Sequence, residues 1–367
     1  MLLQDIEQPI RIELSQDRSY DVVFSAFDKL PEGLRNANLR PGKCLVITDT
    51  NVAGHYRSRI DNVLKDDGWD PLILTLPAGE TTKSPKHLQA IYDAALAWKI
   101  DRQTPVLALG GGVIGDLTGF AAATLLRGVP FVQIPTSLIA QVDSAIGGKT
   151  GINHEEGKNL VGVFYQPKLV FTDTTLLYTL PRREWLSGLA EAIKHALILD
   201  EAFFAWIESE MSRILARDPE VVPDLVYRAA AIKAKIVSED ELERGRRVLL
   251  NFGHTFGHAL ERALGYGTYT HGEAVALGMK AALHMSRRFN RHLKQSRAEK
   301  VLERITMPPI PSSLGIPAVR EAMSSDKKRE SDRLYFVLLS KLGDAYVTDD
   351  VTPSDIDAAL AHALGRP

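Results

Sequence analysis

Three histidines and one glutamate have the residue types and the spacing of a metal site. His254 and His258 lie four residues apart, His271 begins a further helical pattern, and Glu191 lies upstream. A separation of four places both imidazoles on one face of a helical turn. Zinc binds imidazole and carboxylate ligands, and catalytic zinc sites use three protein ligands. The set predicts a metal centre; the alternative is a hydrogen-bonded structural pair at His254 and His258.

Two sets of polar residues around these positions share helical faces. Glu184, Glu191 and Lys194 lie at positions i, i+7 and i+10, which fits either a lined pocket or an exposed face of ion pairs. At about 100° per residue, one continuous helix over residues 243–258 would gather five side chains in a narrow arc. These five are Glu243, Arg247, Asn251, His254 and His258. Three glycines in this segment argue against continuity, because each costs about 1 kcal/mol in a helix interior.

A glycine-rich segment is the second chemical feature. An apolar run at residues 106–109 predicts a buried strand, and Gly110, Gly112 and Gly115 follow it in G-x-G-x-x-G spacing. Glycines let backbone N–H groups approach a phosphate, and the helix predicted from Leu117 would favour its negative charge. Asp116 suits a hydroxylated or cationic ligand group. The segment predicts a dinucleotide site, with a plain strand-to-helix turn as the alternative.

Polar residues also follow neighbouring predicted strands. Strands at 43–48, 72–76 and 131–134 precede, in turn, Asp49 and Asn51, Glu80 and Lys83, and Thr136 and Ser137. Open α/β sheets bind ligands at the carboxyl ends of their strands. Asp49 and Asn51 could equally cap a helix. Asp143, Lys149, Lys158 and Asn159 then fall among flexible glycines, which suits binding of a phosphate or carboxylate; a solvated hairpin is the alternative.

The order of elements predicts two domains. Residues 10–24 indicate an edge hairpin, and strands then alternate with helices, including one at 85–99, up to a strand at 170–172. This alternation predicts a parallel sheet covered by helices. From about residue 180 to 300 the pattern is helical, with a helix from His271 to about 289, a later strand at 334–339 and a last helix at 353–364. The predicted domains are therefore residues 1–178 and 179–367.

Composition excludes several classes of protein. The 367 residues are 45% hydrophobic and 25% charged, and the net charge of −2 offers no electrostatic case for binding nucleic acid or an anionic membrane. Cys44, the only cysteine, lies in an apolar run and is expected in the core, without a disulfide or thiolate cluster. The start lacks a signal-peptide pattern, and no apolar run is long enough for a membrane helix. We expect a cytoplasmic protein.

Taken together, the motifs resemble those of the 3-dehydroquinate synthases. The matching blocks are GGGVIGDLTG (110–119), QVDS (141–144), GGKT (147–150), GKN (157–159), AEAIK (190–194), NFGHTFGH (251–258) and HGE (271–273). The resemblance implies an α/β fold, with an N-terminal Rossmann-like NAD-binding domain and a C-terminal, mainly α-helical metal-binding domain. It implies NAD and a divalent metal, zinc or cobalt, as cofactors, and a homodimer. The implied reaction converts 3-deoxy-D-arabino-heptulosonate 7-phosphate to 3-dehydroquinate and phosphate in the shikimate pathway.

The resemblance also implies residue roles. The metal ligands would be Glu191, His254 and His271. The cofactor contacts would be Asp49, Glu80, Lys83, Gly112, Val113, Ile114, Gly115, Asp116, Thr136, Ser137, Lys149, Lys158, Leu176, Leu177, Tyr178 and Thr179. Catalytic and substrate positions would be Asp143, Lys149, Lys158, Asn159, Lys194, Lys233, Glu243, Arg247, Asn251 and His258, with Arg127 reaching the phosphate from the partner subunit. Either Lys327 or Lys328 would contact the substrate carboxylate.

Two other enzymes share the NAD and metal motifs. Another sugar-phosphate cyclase would tend to alter pocket positions, and Lys233, Arg247 and Asn251 favour dehydroquinate synthase. A metal-dependent polyol dehydrogenase would have no phosphate to hold, so Arg127 and the pair Lys158 and Asn159 argue against it. A non-catalytic binding protein would not need an intact set of metal ligands.

Overall fold

The computed structural model describes residues 8–15, 18–265, 267–327 and 334–366. The chain forms two compact units. Unit 1 consists of the residues up to Leu180 together with Val222–Leu242, and unit 2 consists of Pro181–Val221 and the residues from Glu243 onward. The boundary predicted near residue 178 assigns Val222–Leu242 to the second domain. In the structure this segment belongs to unit 1.

Most of the strands lie before residue 173, whereas helices predominate after it. In chain order, the strands are β1 (Ile10–Ile12), β2 (Tyr20–Phe24), β3 (Lys43–Asp49), β4 (Asp70–Leu76), β5 (Val106–Gly110), β6 (Phe131–Pro135), β7 (Lys149–His154), β8 (Gly157–Phe164), β9 (Leu169–Thr172), β10 (Phe336–Lys341) and β11 (Asp344–Thr348). The helices are α1 (Leu30–Asn36), α2 (Thr50–Asp66), α3 (Pro85–Ala97), α4 (Gly112–Thr124), α5 (Arg182–Leu199), α6 (Glu201–Leu215), α7 (Val222–Glu239), α8 (His254–Leu264), α9 (His271–Phe289), α10 (Gln295–Leu302), α11 (Ile316–Lys327) and α12 (Pro353–Ala363). None of the helices in the described residues is both long and apolar enough to cross a membrane.

Unit 1 is built on a seven-stranded sheet. Its strand order is β1-β2-β9-β6-β5-β3-β4, and neighbouring strands from β2 to β4 run parallel. β1 pairs antiparallel with β2 at the edge, which confirms the predicted hairpin. The chain leaves β3 toward β4 and then crosses back to place β5 on the other side of β3. The carboxyl ends of β3 and β5 therefore flank a topological switch point, where open α/β sheets bind ligands.

Both faces of this sheet are covered. Cys44 and Val46 of β3 pack with Ile60 of α2, whereas Leu45 and Ile47 pack into the other core cluster. Alternate residues of a strand face opposite sides, so a doubly covered strand is apolar throughout. This arrangement confirms the predicted α/β class. Cys44 is fully buried, and its burial raises the pKa of the thiol to about 12.

The glycine-rich segment differs from its prediction in one respect. Helix α4 begins at Gly112 rather than at Leu117, so Gly112 and Gly115 lie in its first turns. A Cβ atom on Gly115 would lie 2.7 Å from Oε1 of Gln133, and one on Gly110 would lie 2.6 Å from Cβ of Ile114. The small residues thus let the helix start directly at the strand end and pack close to β6.

Two other segments of unit 1 contain the polar residues that the sequence places among flexible glycines. Residues Ala140–Ser144 form one turn of π-helix, and β7 and β8 pair as a separate antiparallel hairpin. Helix α7 packs on β1 and on Ala140–Ser144. The alternative of a hairpin is therefore correct for the backbone of residues 149–164.

Unit 2 is mainly helical, with β10 and β11 as an antiparallel pair. The segment 243–258 is not one helix: Arg246–Asn251 is a 3₁₀ helix, and Gly253 has φ of 79° immediately before α8. A positive φ is costly for residues other than glycine, so the chain turns at this point. The five polar side chains therefore do not share one helix: Glu243 precedes the 3₁₀ helix, Arg247 and Asn251 lie in it, and His254 and His258 lie in α8.

Candidate metal centre and dinucleotide site

Three elements of unit 2 position the predicted metal ligands. Glu191 lies at the middle of α5, whose side chains from Trp185 to Ile198 are all buried. His254 and His271 are the first residues of α8 and α9. A capping box fixes the start of α9: Thr270 accepts from the Glu273 N–H, and Glu273 accepts from the Thr270 N–H. Thus Glu273 of the HGE motif has a structural role, and it also binds Arg183.

Close packing brings α9 to α5. A Cβ atom on Gly272 would lie 2.0 Å from the carbonyl oxygen of Ser187, and the Gly272 N–H donates to Oγ of Ser187 at 3.0 Å. Only glycine fits at this contact. The adjacent residue, His271, is therefore held close to Glu191 on the facing helix.

The donor atoms of Glu191, His254 and His271 all lie within 4.8 Å of one another. Oε1 of Glu191 is 3.3 Å from Nε2 of His271 and 3.8 Å from Nε2 of His254. For zinc–ligand bonds of about 2.0–2.1 Å, a tetrahedral arrangement separates two ligand atoms by about 3.3 Å. One carboxylate oxygen and two imidazole nitrogens at these separations fit a divalent zinc-like cation.

Lys194 completes this arrangement. Its ammonium forms an ion pair with Oε2 of Glu191, and both side chains are almost fully buried. The two carboxylate oxygens therefore have different partners: Lys194 holds Oε2, and Oε1 faces both histidines. Glu184, two turns earlier on α5, is exposed, so the structure brings together only two members of the predicted helical face.

The two histidines differ in their electrostatics. Burial and the nearby Lys194 ammonium hold the pKa of His254 well below 6.5. Burial also opposes protonation of His271, but the carboxylates of Glu191 and Glu261 outweigh it and raise the pKa of His271 to about 9. In the metal-free protein at neutral pH, the His254 ring is therefore a neutral imidazole, and the His271 ring is a positively charged imidazolium with a proton on both nitrogens.

This difference predicts a pH-dependent metal affinity. A metal ion must displace the His271 proton, because only a neutral imidazole nitrogen is a ligand. We expect the apparent affinity for Co²⁺ to rise about tenfold per pH unit from pH 7 toward 9, and to level off above the pKa of about 9. Titration of the metal-free protein between pH 6.5 and 9.5 measures it. A flat profile would contradict the assigned protonation state.

The other polar residues predicted for unit 2 lie on the elements before and within α8. Arg247 is 1% exposed in the 3₁₀ helix. The Asn251 amide donates to Oε1 of Glu243 at 3.3 Å. The ring of His258 is exposed, 5.2 Å from the His254 ring and 6.0 Å from the His271 ring. Lys327 ends α11 without a described side chain, and Lys328 lies outside the described residues.

The predicted dinucleotide site of unit 1 lies at the switch point of its sheet. The first turn of α4 directs its backbone N–H groups beyond the carboxyl end of β5, where an anion is stabilised. Cβ atoms on Gly111 and Gly112 would lie 3.2 Å from Oγ of Ser137 and 2.9 Å from Oγ of Ser144. The glycines therefore let the start of α4 lie close against these two hydroxyls, where a side chain would clash. Thr136 and Ser137 follow β6 as predicted and are buried.

Asp49 caps a helix, which was the alternative to its predicted contact with a ligand. Its Oδ1 accepts hydrogen bonds from the backbone N–H groups of Asn51 and Val52, at 2.8 and 3.0 Å, and so caps α2. Asn51 contributes its backbone to this cap. The cofactor contact predicted for Asp49 stays a prediction.

A polar network links the segment after β4 to the glycine-rich helix and the β7–β8 hairpin. The Lys83 ammonium donates to both Asp116 and Asn159. Burial raises the pKa of the Asp116 carboxyl, and Lys83 opposes this shift. The Asn153 amide donates to Glu80 at 2.7 Å, and its carbonyl oxygen accepts from the Asn159 N–H at 3.0 Å. Four of the predicted residues therefore form one cluster.

Asp143 forms a second pair within unit 1. The Lys233 ammonium on α7 lies 2.5 Å from Oδ1 of Asp143. Lys233 is 6% exposed, and its carboxylate partner offsets the cost of burying the lysine. Lys149 is exposed and Lys158 half-buried on the adjacent hairpin.

The remaining predicted residues of unit 1 differ in the exposure of their side chains. Leu176 and Leu177 are buried, so a ligand contact there would use the backbone, whereas Tyr178 and Thr179 are exposed. Arg127 is exposed and has φ of 66°, next to Leu126 with φ of 50°. Two successive residues in this region are strained, as happens where a side chain has to be presented in a fixed direction.

Sequence reasoning missed three residues that support these sites. Asn153 connects Glu80 to Asn159, and Tyr56 donates to the carbonyl oxygen of Leu176 at 3.1 Å. Neither has a local sequence signal. Glu261 faces His271, and its position seven residues after His254 could have indicated a shared helical face.

Comparison with known proteins places these sites in context. The family described as 3-dehydroquinate synthase N-terminal matches residues 73–187, and the one described as 3-dehydroquinate synthase C-terminal matches residues 188–329. A 3-dehydroquinate synthase from Salinibacter ruber is 53% identical over 352 residues, which cover 95% of this chain and 96% of that protein.

Two solved structures are also similar. A 2-epi-5-epi-valiolone synthase from Streptomyces hygroscopicus with NAD⁺ and Zn²⁺ bound is 29% identical, with a TM-score of 0.87 and coverage of 97% of this chain and 100% of that chain. A 2-deoxy-scyllo-inosose synthase with carbaglucose-6-phosphate, NAD⁺ and Co²⁺ is 26% identical, with a TM-score of 0.84 and coverage of 96% and 99%. Both of these proteins hold NAD⁺ and a divalent metal ion.

Proposed function

The chain belongs to the 3-dehydroquinate synthase family, and from this membership we propose how its residues carry out the reaction. The enzyme is a carbon–oxygen lyase that converts 3-deoxy-D-arabino-heptulosonate 7-phosphate to 3-dehydroquinate and phosphate. This reaction belongs to the shikimate pathway, which leads to chorismate and the aromatic amino acids. The observation that carries the assignment is 53% identity to a 3-dehydroquinate synthase over 95% of the chain.

The enzyme uses NAD and a divalent metal, zinc or cobalt. When bound, NAD accepts and later returns a hydride, and the metal ion polarises the substrate hydroxyl group that is oxidised. Oxidation acidifies the adjacent C–H bond, and the substrate's own phosphate would take that proton as it leaves, with little acid–base help from the protein. Reduction, ring opening and an intramolecular aldol closure complete the sequence, without net redox change. The main tasks of the side chains are orientation and charge stabilisation.

Glu191, His254 and His271 would hold the metal through one carboxylate oxygen and two Nε2 atoms. The separations of 3.3 and 3.8 Å between Oε1 and the two nitrogens support this assignment. Lys194 would keep Oε2 of Glu191 occupied and add a positive charge beside the oxygen that becomes anionic.

The cofactor would bind at the carboxyl ends of β3, β5 and β6. The N–H groups of the first turn of α4 would receive the pyrophosphate, near Thr136 and Ser137. The buried Lys83 forms an ion pair with the partly buried Asp116, and this pair would face the cofactor. The full set of proposed NAD contacts is Asp49, Glu80, Lys83, Gly112, Val113, Ile114, Gly115, Asp116, Thr136, Ser137, Lys149, Lys158, Leu176, Leu177, Tyr178 and Thr179.

The substrate carries a phosphate and a carboxylate, and both groups need cationic or amide partners. The proposed cationic and amide partners are Lys149, Lys158, Asn159, Lys194, Lys233, Arg247, Asn251 and one lysine of Lys327 and Lys328, and Asp143, Glu243 and His258 are proposed as further substrate-pocket positions. Arg127 would act on the phosphate from the partner subunit in a homodimer. Its exposure in unit 1 supports this role, and sedimentation analysis would test the dimer. We assign the enzyme to the cytoplasm.

One assay separates the proposed reaction from its rivals. Phosphate release from 3-deoxy-D-arabino-heptulosonate 7-phosphate is measured with NAD and zinc present, while NADH absorbance is followed. We expect stoichiometric phosphate without accumulation of NADH. Accumulation of NADH would instead indicate a polyol dehydrogenase. Phosphate release only from a different sugar phosphate would indicate another cyclase, a class represented by the two solved relatives.

A further inference from the structure

Glu261 is a buried carboxylate with no role in the proposed reaction. It lies on α8, seven residues after His254, and is 6% exposed. Its Oε2 is 3.9 Å from Nδ1 of His271, whose Nε2 lies 3.3 Å from Oε1 of Glu191. The His271 imidazole is therefore placed between two carboxylates, one facing each ring nitrogen.

The position of Glu261 relative to His271 is set by tight packing of α8 on α9. A Cβ atom on Gly278 of α9 would lie 2.0 Å from the carbonyl oxygen of Gly253 and 2.7 Å from the backbone nitrogen of Gly257. Two helices in backbone contact hold their side chains at a defined separation. The gap of 3.9 Å exceeds a hydrogen bond of about 2.7–3.2 Å, so a hydrogen bond between the two groups requires them to move closer than in this structure.

Burial of an anionic side chain is costly unless a partner compensates it. A carboxylate facing Nδ1 of a ligand histidine would do two things. It would retain the proton on Nδ1, and it would fix the plane of the ring, so that the Nε2 lone pair points to the metal.

We propose that Glu261 is a positioning residue of the metal centre, accepting the Nδ1–H of His271 and thereby orienting Nε2 toward the metal. The inference rests on the proposed metal-binding role of Glu191, His254 and His271. His258 on the same helix is a competing partner for Glu261, because donor atoms of His258, Glu261 and His271 all lie within 4.8 Å of one another. If Glu261 served only His258, its removal would leave metal affinity unchanged.

The test measures metal affinity without substrate or NAD. Metal-free wild type, Glu261→Gln and Glu261→Ala are titrated with Co²⁺, followed by ligand-field absorbance, and with Zn²⁺ in competition. Loss of such a partner weakens metal binding by about 10–100-fold, which we expect for Glu261→Ala. Glu261→Gln keeps a carbonyl oxygen that accepts the Nδ1–H, so its affinity should fall between those of wild type and the alanine variant.

Two controls separate positioning from general loosening of the fold. Glu299→Gln makes the same change at another histidine–glutamate pair of unit 2, where Nε2 of His362 lies 2.5 Å from Oε1 of Glu299, and should leave Co²⁺ affinity unchanged. In a His271→Ala background, Glu261→Ala should weaken Co²⁺ binding no further, because its effect passes through His271. A purely structural effect would instead add to that of His271→Ala.

The proposal is overturned by unchanged Co²⁺ and Zn²⁺ affinity in both Glu261 variants, or by additive effects in the double variant. If Glu261→Ala does not fold, the nearly isosteric Glu261→Gln variant tests the proposal alone, and unchanged Co²⁺ and Zn²⁺ affinity in that variant overturns it. Because the readout is metal binding, a protein that fails to convert the proposed sugar phosphate still tests the role of Glu261.

Discussion

Replacement of His271 by alanine is expected to abolish turnover while NAD binding persists. The change removes one of three metal ligands, and the remaining Glu191 and His254 would hold the ion weakly. Polarisation of the reacting hydroxyl contributes several kcal/mol, so we expect a loss of at least about 10³-fold in kcat. The proposed NAD contacts all belong to unit 1. Steady-state kinetics, Co²⁺ titration and calorimetric NAD titration measure the three quantities.

The fold should survive this substitution. Glu191 keeps its ion pair with Lys194, so loss of the imidazole does not leave the Glu191 carboxylate unpaired. His292→Ala is the matched control, since His292 is an exposed histidine of the same unit and should retain full activity. Loss of NAD affinity in His271→Ala, with metal affinity unchanged, would count against the role assigned to His271.

The secondary structure of the two units could be predicted from the sequence to different extents. In unit 1, apolar runs and intervening helices predicted the parallel sheet, because strands covered on both faces are continuously apolar. The start of α4 was misplaced by five residues, since glycines are poor helix formers on intrinsic propensity. Close packing of Gly115 on Gln133 overrides that propensity. A contact between residues this far apart in the chain cannot be predicted from the local sequence.

The return of α7 to unit 1 could not be predicted either. Its sequence has an ordinary amphipathic helical pattern, and nothing in that pattern says which core it joins. The reason is non-local: Lys233 pairs with Asp143, ninety residues earlier, and α7 packs on β1. A boundary drawn from the change in composition near residue 180 therefore misses a helix that crosses back.

The metal ligands were more accessible to sequence reasoning than their supports were. A histidine at the start of each of two helices and a glutamate within an apolar helix already suggest a metal centre by residue type. The two carboxylate oxygens of Glu191 have different partners: Lys194 binds Oε2, and both histidines face Oε1. This distinction depends on atomic positions and cannot be predicted from the sequence. The break at Gly253, which separates His254 from Arg247, agrees with the expectation that glycines interrupt a helix over residues 243–258.

Gly278→Ala is expected to destabilise unit 2 and to weaken the metal site at the same time. The added Cβ atom would lie 2.0 Å from the Gly253 carbonyl oxygen and 2.7 Å from the Gly257 nitrogen, and backbone atoms cannot rotate away as a side chain can. Alanine gains about 1 kcal/mol in helix propensity over glycine. Overpacking costs about 1–3 kcal/mol and occasionally more, so at the upper end of this range the net loss of stability is about 2 kcal/mol.

The metal readout connects this packing to function. Gly253 directly precedes His254, so a displacement of α8 from α9 changes the separation of two ligands that begin those helices. We therefore expect weaker Co²⁺ binding in Gly278→Ala, even below its unfolding temperature. Gly54→Ala is the matched control: an added Cβ on this exposed residue of α2 would meet nothing within 4 Å, so the change should stabilise the protein by about 0.5–1 kcal/mol. Denaturant unfolding and Co²⁺ titration of both variants measure these effects. Wild-type stability and metal affinity in Gly278→Ala would show that the two helices do not depend on backbone contact to align His254 with His271.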